Sequence, residues 1–207
     1  AHYSGLVTHF DRWFGAFMAK LDSLGLDRNT LVMFISDHGT NFTDNPRRII
    51  GKPAYSMYPG LMDLVFMVRL PGGHGGGHTC SELVYNLDLT ATVYDLAGLR
   101  SEQGVHGQSL RPLLTGEGAW QRREYVTCRY GHSLCYIDDQ IWALTNIDGA
   151  LQELFDLEAD PQCQRDIAGR ADPALFRRVW ERLLADAGGS FPDYRRAQQT
   201  DAVGRPQ

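Results

Sequence analysis

Two side chains that could bind a metal ion, those of Asp37 and His38, follow the uncharged apolar run 31–35 and precede Gly39. Such a run is typical of a core strand in a parallel sheet, and open α/β sheets bind ligands just beyond the carboxyl ends of their strands. Where the chain bends at a strand end, a carboxylate and a neighbouring imidazole can reach one ion. The alternative is that Asp37 caps the following turn and His38 is an ordinary polar loop residue. Spacing alone supports both interpretations.

A second pair of histidines, His74 and His78, flanks three glycines. These histidines could also bind a metal ion, but a glycine-rich loop does not hold ligands in place. The glycine run is not a phosphate-binding loop, because no Gly-Lys-Ser or Gly-Lys-Thr follows it. We therefore expect this segment to be a flexible turn.

The four cysteines lack the Cys-x-x-Cys spacing of a zinc site. They are Cys80, Cys128, Cys135 and Cys163. Cys128 and Cys135 could form a disulfide across a hairpin, although reduced thiols buried in strands are the favoured interpretation. The sequence leaves the redox compartment open.

The composition is typical of a soluble globular protein with one substantial domain, with or without a small appendage. The chain has 207 residues, 43% of them hydrophobic, and a formal net charge of −5. This mild acidity and the lack of clustered Lys and Arg argue against a nucleic-acid partner. No apolar run reaches the roughly 18 residues that a membrane helix needs, and no signal segment is evident at the start. The sequence leaves the cellular compartment unknown.

The hydrophobic pattern predicts two structural regions. An amphipathic helix over 3–24, strands ending at residues 37 and 69, a long loop over 39–60 and a helix from Asp88 are expected within 1–118. From about residue 123 the hydrophobic pattern changes to short alternating stretches separated by pairs of turn residues. This pattern predicts a small antiparallel sheet covered by a helix near 173–187. We therefore expect an α/β portion over 1–118, a subdomain over 119–190 and a polar tail over 191–207.

The segment 30–39, TLVMFISDHG, resembles the "nTlviftSDHG" segment of the sulfatase family, within the alkaline-phosphatase-like superfamily. The resemblance continues through GKP at 51–53 and GQSLRPLLTG at 107–116, which looks like the family's "G-x-S-L-x-P-L-L-x-G". It ends with ELFDLEADP at 153–161, which is similar to "ELYDLxxDP". These segments follow the family's order along most of the chain. The fold that they imply is α/β, the C-terminal part of an alkaline-phosphatase-like sulfatase, with a sheet flanked by helices and a small antiparallel sheet with a C-terminal helix.

The resemblance also implies roles for three residues. Asp37 and His38 would be ligands of a divalent metal ion, and Lys52 would contact the sulfate or phosphate oxygens as a catalytic cation. The implied ion is Ca²⁺, Mn²⁺ or Zn²⁺, and the nitrogen ligand His38 favours the latter two over the all-oxygen shell of Ca²⁺. Taken without the resemblance, Lys52 would be interpreted as a solvated loop lysine.

The sequence also departs from the family pattern. The nucleophile of this family is a cysteine oxidised to formylglycine, or a serine or threonine, in a C-x-P-S-R type motif, and two adjacent aspartates supply further metal ligands. This sequence contains no such motif, and its one pair of adjacent aspartates, Asp138 and Asp139, stands in a predicted turn. We therefore expect the C-terminal half of a sulfatase, with the formylglycine in a missing N-terminal part.

The predicted function is metal-dependent hydrolysis of small-molecule or saccharide sulfate esters, with little or no turnover by this chain alone. One alternative is a phosphodiester or phosphonate monoester hydrolase on the same scaffold. Another is a catalytically inactive remnant that acts as an interaction module. In that case helix 3–24 and the sheet edge would be exposed and would favour association with another chain.

Overall fold

The computed structural model describes residues 2–100 and 104–193. The first half contains four α-helices and four strands, two of which form a short hairpin. These elements are α1 (His2–Ser23), β1 (Val32–Ile35), β2 (Asn41–Phe42), β3 (Ile50–Gly51), α2 (Pro59–Met62), β4 (Phe66–Arg69), α3 (Asp88–Leu96) and α4 (Arg111–Thr115). The second half is a sheet and a helix, namely β5 (Tyr125–Tyr130), β6 (Ser133–Asp138), β7 (Ile141–Asn146), β8 (Leu151–Asp156) and α5 (Pro173–Asp186). Among the described residues, no helix is long and apolar enough to cross a membrane.

Helix α1 confirms the amphipathic helix that the apolar stripe predicts. Its residues Phe10 and Phe14 pack on Phe34 of β1, with ring centroids 5.4 and 5.2 Å apart. No residue of α1 is fully buried. Large apolar side chains remain exposed along the stripe, namely Tyr3, Leu6, Val7, Phe10, Trp13 and Phe17. The expected exposure of this helix is therefore present, whereas association through it stays a prediction.

The strand β1 differs in its pairing from the predicted parallel core strand. It pairs antiparallel with β4, with Val32 opposite Arg69 and Ile35 opposite Phe66. All four residues of β1 are only partly buried in the described structure. The parallel prediction was wrong because an apolar run indicates burial of a strand but carries no information on the direction of its neighbour.

The predicted loop 39–60 is more ordered than its sequence suggested. The strands β2 and β3 form a short hairpin in it, with Asn41 opposite Gly51 and Phe42 opposite Ile50. The helix α2 follows, with Pro59 in its first turn. Strands of two residues are too short to show alternation, so periodicity could not reveal them.

The four-stranded sheet confirms the predicted antiparallel hairpins. Its strands follow one another in the order β5-β6-β7-β8, and each pairs antiparallel with the next. At the turn between β6 and β7, the Asp138 carboxylate accepts the N–H groups of Gln140 and Ile141, both at 2.9 Å. Asp138 therefore ends β6 and caps the turn that begins at Asp139, which agrees with the predicted turn at this pair.

Both faces of this sheet are covered. One face packs on α5, and the cluster between them contains Leu134, Tyr136, Ile141, Ala143 and Leu154 of the sheet and Val179 and Leu183 of α5. The other face packs on the segment around α2, and the cluster between them contains Cys135, Trp142, Leu144 and Phe155 of the sheet together with Met57, Tyr58, Leu61 and Cys163. This second cluster joins residues on both sides of position 118, and the division into 1–118 and 119–190 stays a prediction.

Part of the predicted polar tail packs on helix α5. Within the predicted polar tail 191–207, Phe191 contacts Trp180 with ring centroids 5.6 Å apart, and residues from 194 onward lie outside the described part.

All four cysteines are free. Cys128 and Cys135 stand directly opposite each other on β5 and β6 without a bond between them.

Candidate active site

The turn after β1 is held by hydrogen bonds at each end. The Ser36 N–H donates to the Val65 carbonyl at 3.1 Å, and the Ser36 hydroxyl donates to the His38 carbonyl at 2.7 Å. Beyond His38, the N–H groups of Gly39 and Thr40 donate to carbonyls of α2 at 2.9 Å each. These bonds fix the backbone that carries Asp37 and His38.

Gly39 is required by a close approach of two backbones. A Cβ atom at this position would lie 2.2 Å from the Gly60 carbonyl oxygen and 3.0 Å from Leu61 Cα. No non-bonded carbon and oxygen can come so close, so only glycine allows the turn to pack against α2. The glycine of the Asp-His-Gly sequence therefore serves packing.

The hairpin of β2 and β3 brings Lys52 to the same place. Asn41 lies opposite Gly51 and is completely buried. Its side-chain amide donates to the carbonyls of Gly51 and Ser56, both at 3.0 Å. These bonds fix the backbone on both sides of Lys52, at Gly51 before it and at Ser56 after it. Nothing in the sequence marked Asn41 as buried, and the sequence reasoning missed it.

The three residues Asp37, His38 and Lys52 form one contiguous group. Lys52 Nζ lies 2.6 Å from His38 Nε2, and His38 Nδ1 lies 2.9 Å from the Gly39 carbonyl oxygen. Because a carbonyl oxygen can only accept, the proton is assigned to Nδ1, and Nε2 keeps its lone pair to accept from Lys52. Asp37 accepts the His38 N–H through Oδ1 at 2.8 Å, and its Oδ2 lies 3.5 Å from His38 Nε2.

This arrangement suits two ligands of one divalent ion. Two ligand atoms that each lie about 2.0–2.2 Å from an ion are roughly 3 Å apart, close to the separation of Asp37 Oδ2 and His38 Nε2. The hydrogen bond from Nδ1 to a carbonyl orients the imidazole in the way that bound histidines are usually oriented. The Asp37 side chain is 84% exposed, so its second oxygen is accessible. The donor set is therefore compatible with a metal ion that replaces Lys52 as the partner of the His38 Nε2 lone pair, but it supplies only two ligands.

The group lines a cleft of about 850 Å³. Its walls are formed by the segment 61–66, the segment 80–86 and the strand β5. Partial burial in this wall raises the pKa of the Asp63 carboxyl. Burial likewise raises the pKa of the Cys128 thiol, which makes it a poor nucleophile at neutral pH.

The second pair of histidines takes no part in this site. His74 and His78 are exposed on the loop after β4 and do not line the cleft. Across residues 2–100 and 104–193, no group of three or more His, Cys, Asp or Glu side chains is placed to hold a metal ion. Asp37 and His38 are the better candidates because their donor atoms converge.

Comparisons with known families decide the classification. The family described as N-sulphoglucosamine sulphohydrolase, C-terminal, matches residues 54–186, and the family described as Sulfatase matches residues 1–99. The chain belongs to the sulfatase family. This confirms the resemblance that the Asp-His-Gly segment and the later motifs indicated.

Individual sulfatases and related enzymes are similar over most of this chain. The N-acetylglucosamine-6-O-sulfatase of Bacteroides thetaiotaomicron is 24% identical over 212 aligned positions, covering 92% of this chain and 36% of that protein. The structure of BT4656 with its substrate D-glucosamine-2-N,6-O-disulfate has a TM-score of 0.71 at 21% identity, covering 84% of this chain and 37% of that one. The phosphonate monoester hydrolase SpPMH of Silicibacter pomeroyi has a TM-score of 0.73 at 24% identity, covering 87% and 39%.

These likenesses confirm the alkaline-phosphatase-like sulfatase fold. They also show that this sulfatase chain spans little more than a third of the length of the relatives it matches.

Proposed function

We propose that this chain supplies the Asp37–His38–Lys52 part of the active site of a metal-dependent sulfuric ester hydrolase. The observation that supports this proposal is that His38 Nε2, in a sulfatase chain, has the Lys52 ammonium at 2.6 Å and a carboxylate oxygen of Asp37 at 3.5 Å. The cleft beside them is large enough for the organic part of an ester.

Each residue has a distinct role in this proposal. Asp37 and His38 would hold a divalent ion, which is Mn²⁺, Zn²⁺ or Ca²⁺ and which, when bound, polarises the ester and stabilises developing negative charge. The Lys52 ammonium would bind the anionic oxygens of the ester as a point charge. The hydrogen bond from His38 Nδ1 to the Gly39 carbonyl would keep the imidazole in the ligating tautomer.

The nucleophile would come from polypeptide outside these 207 residues. The sequence has no C-x-P-S-R type motif in which a formylglycine would form. Burial raises the pKa of the thiols of Cys128 and Cys135 and that of Cys163 to about 12, so none of these three is an activated nucleophile. We therefore propose that the chain alone has little or no turnover.

A saccharide sulfate ester is the substrate class that the relatives support. The similar protein from Bacteroides thetaiotaomicron is named an N-acetylglucosamine-6-O-sulfatase, and BT4656 was solved with a sulfated glucosamine as its substrate. Phosphonate monoesters are the second candidate, because the fold is equally similar to that of SpPMH. The nitrogen ligand His38 mildly favours this second class.

The chain contains only two lysines, Lys20 and Lys52, which makes a direct test possible. Both can be labelled by reductive methylation with carbon-13 formaldehyde, and their methyl resonances followed during titration with sulfate in the presence of Mn²⁺. We expect sulfate to shift the Lys52 resonance and Mn²⁺ to broaden it, while exposed Lys20 on α1 reports non-specific effects. No change at Lys52, or changes equal to those at Lys20, would contradict the proposal.

Turnover tests the remaining parts of the proposal. We expect no hydrolysis of 4-nitrophenyl sulfate by the purified chain, and robust hydrolysis would show that no further polypeptide is needed. Hydrolysis by the chain joined to a sulfatase segment with the nucleophile and paired aspartates would then be compared on aryl sulfates and aryl phosphonates. Faster turnover of the phosphonate would favour the second candidate.

A further inference from the structure

Glu153, in the middle of β8, is a buried carboxylate that lies outside the cleft. It belongs to the ELFDL segment and is 3% exposed. A buried carboxylate is costly unless partners satisfy it. Tyr58 OH donates to both of its oxygens, at 3.0 and 2.7 Å, and the Arg47 guanidinium forms an ion pair with Oε1. We refer to these three side chains as the Arg47–Glu153–Tyr58 network.

One branch of the network leads to the turn that carries Asp37 and His38. Tyr58 immediately precedes α2 and is 1% exposed. Two residues further on, the carbonyls of Gly60 and Leu61 accept the N–H groups that follow His38. Burial raises the pKa of Tyr58, so its hydroxyl stays protonated and continues to donate to Glu153. This contact therefore links Glu153 to the start of α2, and through α2 to the turn that carries His38.

The other branch leads to the hairpin that carries Lys52. Arg47 lies in the connection between β2 and β3, where the Asn45 side chain both accepts from and donates to Ile49, at 2.9 Å in each case. Lys52 follows directly after β3. The Arg47 side chain is 43% exposed, and it reaches inward from the hairpin to a carboxylate on the four-stranded sheet.

We propose that Glu153 is a positioning residue that sets the separation of His38 and Lys52 by holding α2 through Tyr58 and the β2–β3 hairpin through Arg47. One carboxylate is the common anchor of both elements, and it comes from a strand that contributes nothing to the cleft. The catalytic meaning of this separation rests on the proposed function, whereas the dependence of the separation on Glu153 does not.

Variants on both sides of the ion pair test the proposal. Glu153→Gln removes the charge at the anchor, and Arg47→Gln removes the same ion pair from its half-exposed side without opening a void in the core. Arg48→Gln is the matched control, since it removes one positive charge from the neighbouring exposed position. Each variant is studied as the full metal-free chain, with the melting temperature recorded so that folded protein is compared.

The measurement is the rate of reductive methylation of Lys52 relative to Lys20, together with the nuclear Overhauser contact between Lys52 and His38. In Glu153→Gln and Arg47→Gln we expect this contact to disappear and the relative rate for Lys52 to rise roughly tenfold, as expected on losing a hydrogen bond to a charged group. Arg48→Gln is expected to match the wild type. A lower melting temperature with an unchanged ratio and contact would overturn the proposal, because it would show that the network only stabilises the fold.

This test is separate from that of the proposed function. Failure of the wild-type chain to bind Mn²⁺ or sulfate would contradict the proposed function, and the methylation ratio would still decide the role of Glu153. Conversely, Mn²⁺ and sulfate binding with no effect of Arg47→Gln or Glu153→Gln on Lys52 would leave the proposed function standing and overturn this inference.

Discussion

Arg123 and Asp88 form a bidentate ion pair in which the Asp88 carboxylate is completely buried. Arg123 Nη1 donates to Oδ2 at 2.8 Å and Nη2 to Oδ1 at 2.6 Å. The same carboxylate accepts the N–H groups of Tyr85 and Gln108, both at 2.8 Å. The pair therefore joins the segment 80–86 of the cleft wall, the start of α3 and the approach to β5.

Arg123→Gln is expected to lower the free energy of unfolding by about 3–5 kcal/mol, because it leaves a buried carboxylate without its counter-charge. The matched control is Arg122→Gln, whose ion pair with Asp139 is exposed at both ends and should contribute at most about 1 kcal/mol. Urea unfolding followed by tryptophan fluorescence measures both variants. Equal losses for the two would contradict the importance of the buried pair.

Gly39→Ala and Gly15→Ala are expected to act in opposite directions. A Cβ at Gly39 would overlap the Gly60 carbonyl, so we expect a loss of about 1–3 kcal/mol as α2 is displaced. A Cβ at Gly15, inside α1, meets nothing within 4 Å and should stabilise the chain by about 0.5–1 kcal/mol through helix propensity. Thermal unfolding by circular dichroism gives both values. A neutral Gly39→Ala would show that the turn is free to move away from α2.

Asp37→Asn and His38→Ala are each expected to weaken Mn²⁺ binding by roughly tenfold or more, since the first removes the negative charge of one proposed ligand and the second removes a ligand altogether. The control is the double variant His74→Ala, His78→Ala, which removes two exposed imidazoles away from the cleft. Isothermal titration calorimetry compares the affinities. If the loop variant lost Mn²⁺ binding and the other two kept it, the metal site would have been assigned to the wrong pair.

The stability of the chain is expected to fall in alkaline solution through Cys163. This thiol is completely buried, and burial raises its pKa from 9.0 to about 12. The unfolded chain therefore loses this proton first, and rising pH favours unfolding by about 1.4 kcal/mol per pH unit between about pH 9 and about pH 12. Below this window both states are protonated and Cys163 adds no pH dependence.

Cys163→Ala should make the decline shallower across that window, whereas Cys80→Ala should leave the slope unchanged. The free energy of unfolding is measured by urea titration under reducing conditions at a series of pH values. Identical slopes for the wild type and Cys163→Ala would show that another group controls the alkaline response.

The elements that the sequence predicted well are those with local signals. The strands β5 to β8 combine period-two alternation with turn pairs such as Asp138-Asp139, and each pairs with its neighbour in sequence. Helix α1 has six turns of a single apolar stripe. The pairing of β1 with β4 had no such signal, because two stretches separated by about thirty residues form it and their direction depends on the path between them.

The candidate site was only partly predictable for a related reason. Asp37 and His38 are adjacent and end an apolar run, so their types and position alone suggested a ligand pair. Their contact with Lys52 spans fourteen residues and became an expectation only through the family resemblance. Asn41, which bonds to the backbone on both sides of Lys52, and Glu153, which contacts Tyr58 and Arg47, gave no chemical signal, since a buried amide or carboxylate looks like any other polar residue in the sequence.

The long separation between Tyr58 and Glu153, 95 residues along the chain, has a consequence for biosynthesis. The meander β5 to β8 pairs strands that are neighbours in sequence, but it leaves the ribosome after β1, the β2–β3 hairpin and α2. Because synthesis adds about 5–20 residues per second, Glu153 is translated on the order of 5–20 s after Tyr58. Until then Met57 and Tyr58 have no surface on which to pack. We therefore expect the turn that carries Asp37 and His38 to reach its final conformation late. A nascent chain arrested before β8 should not form this conformation.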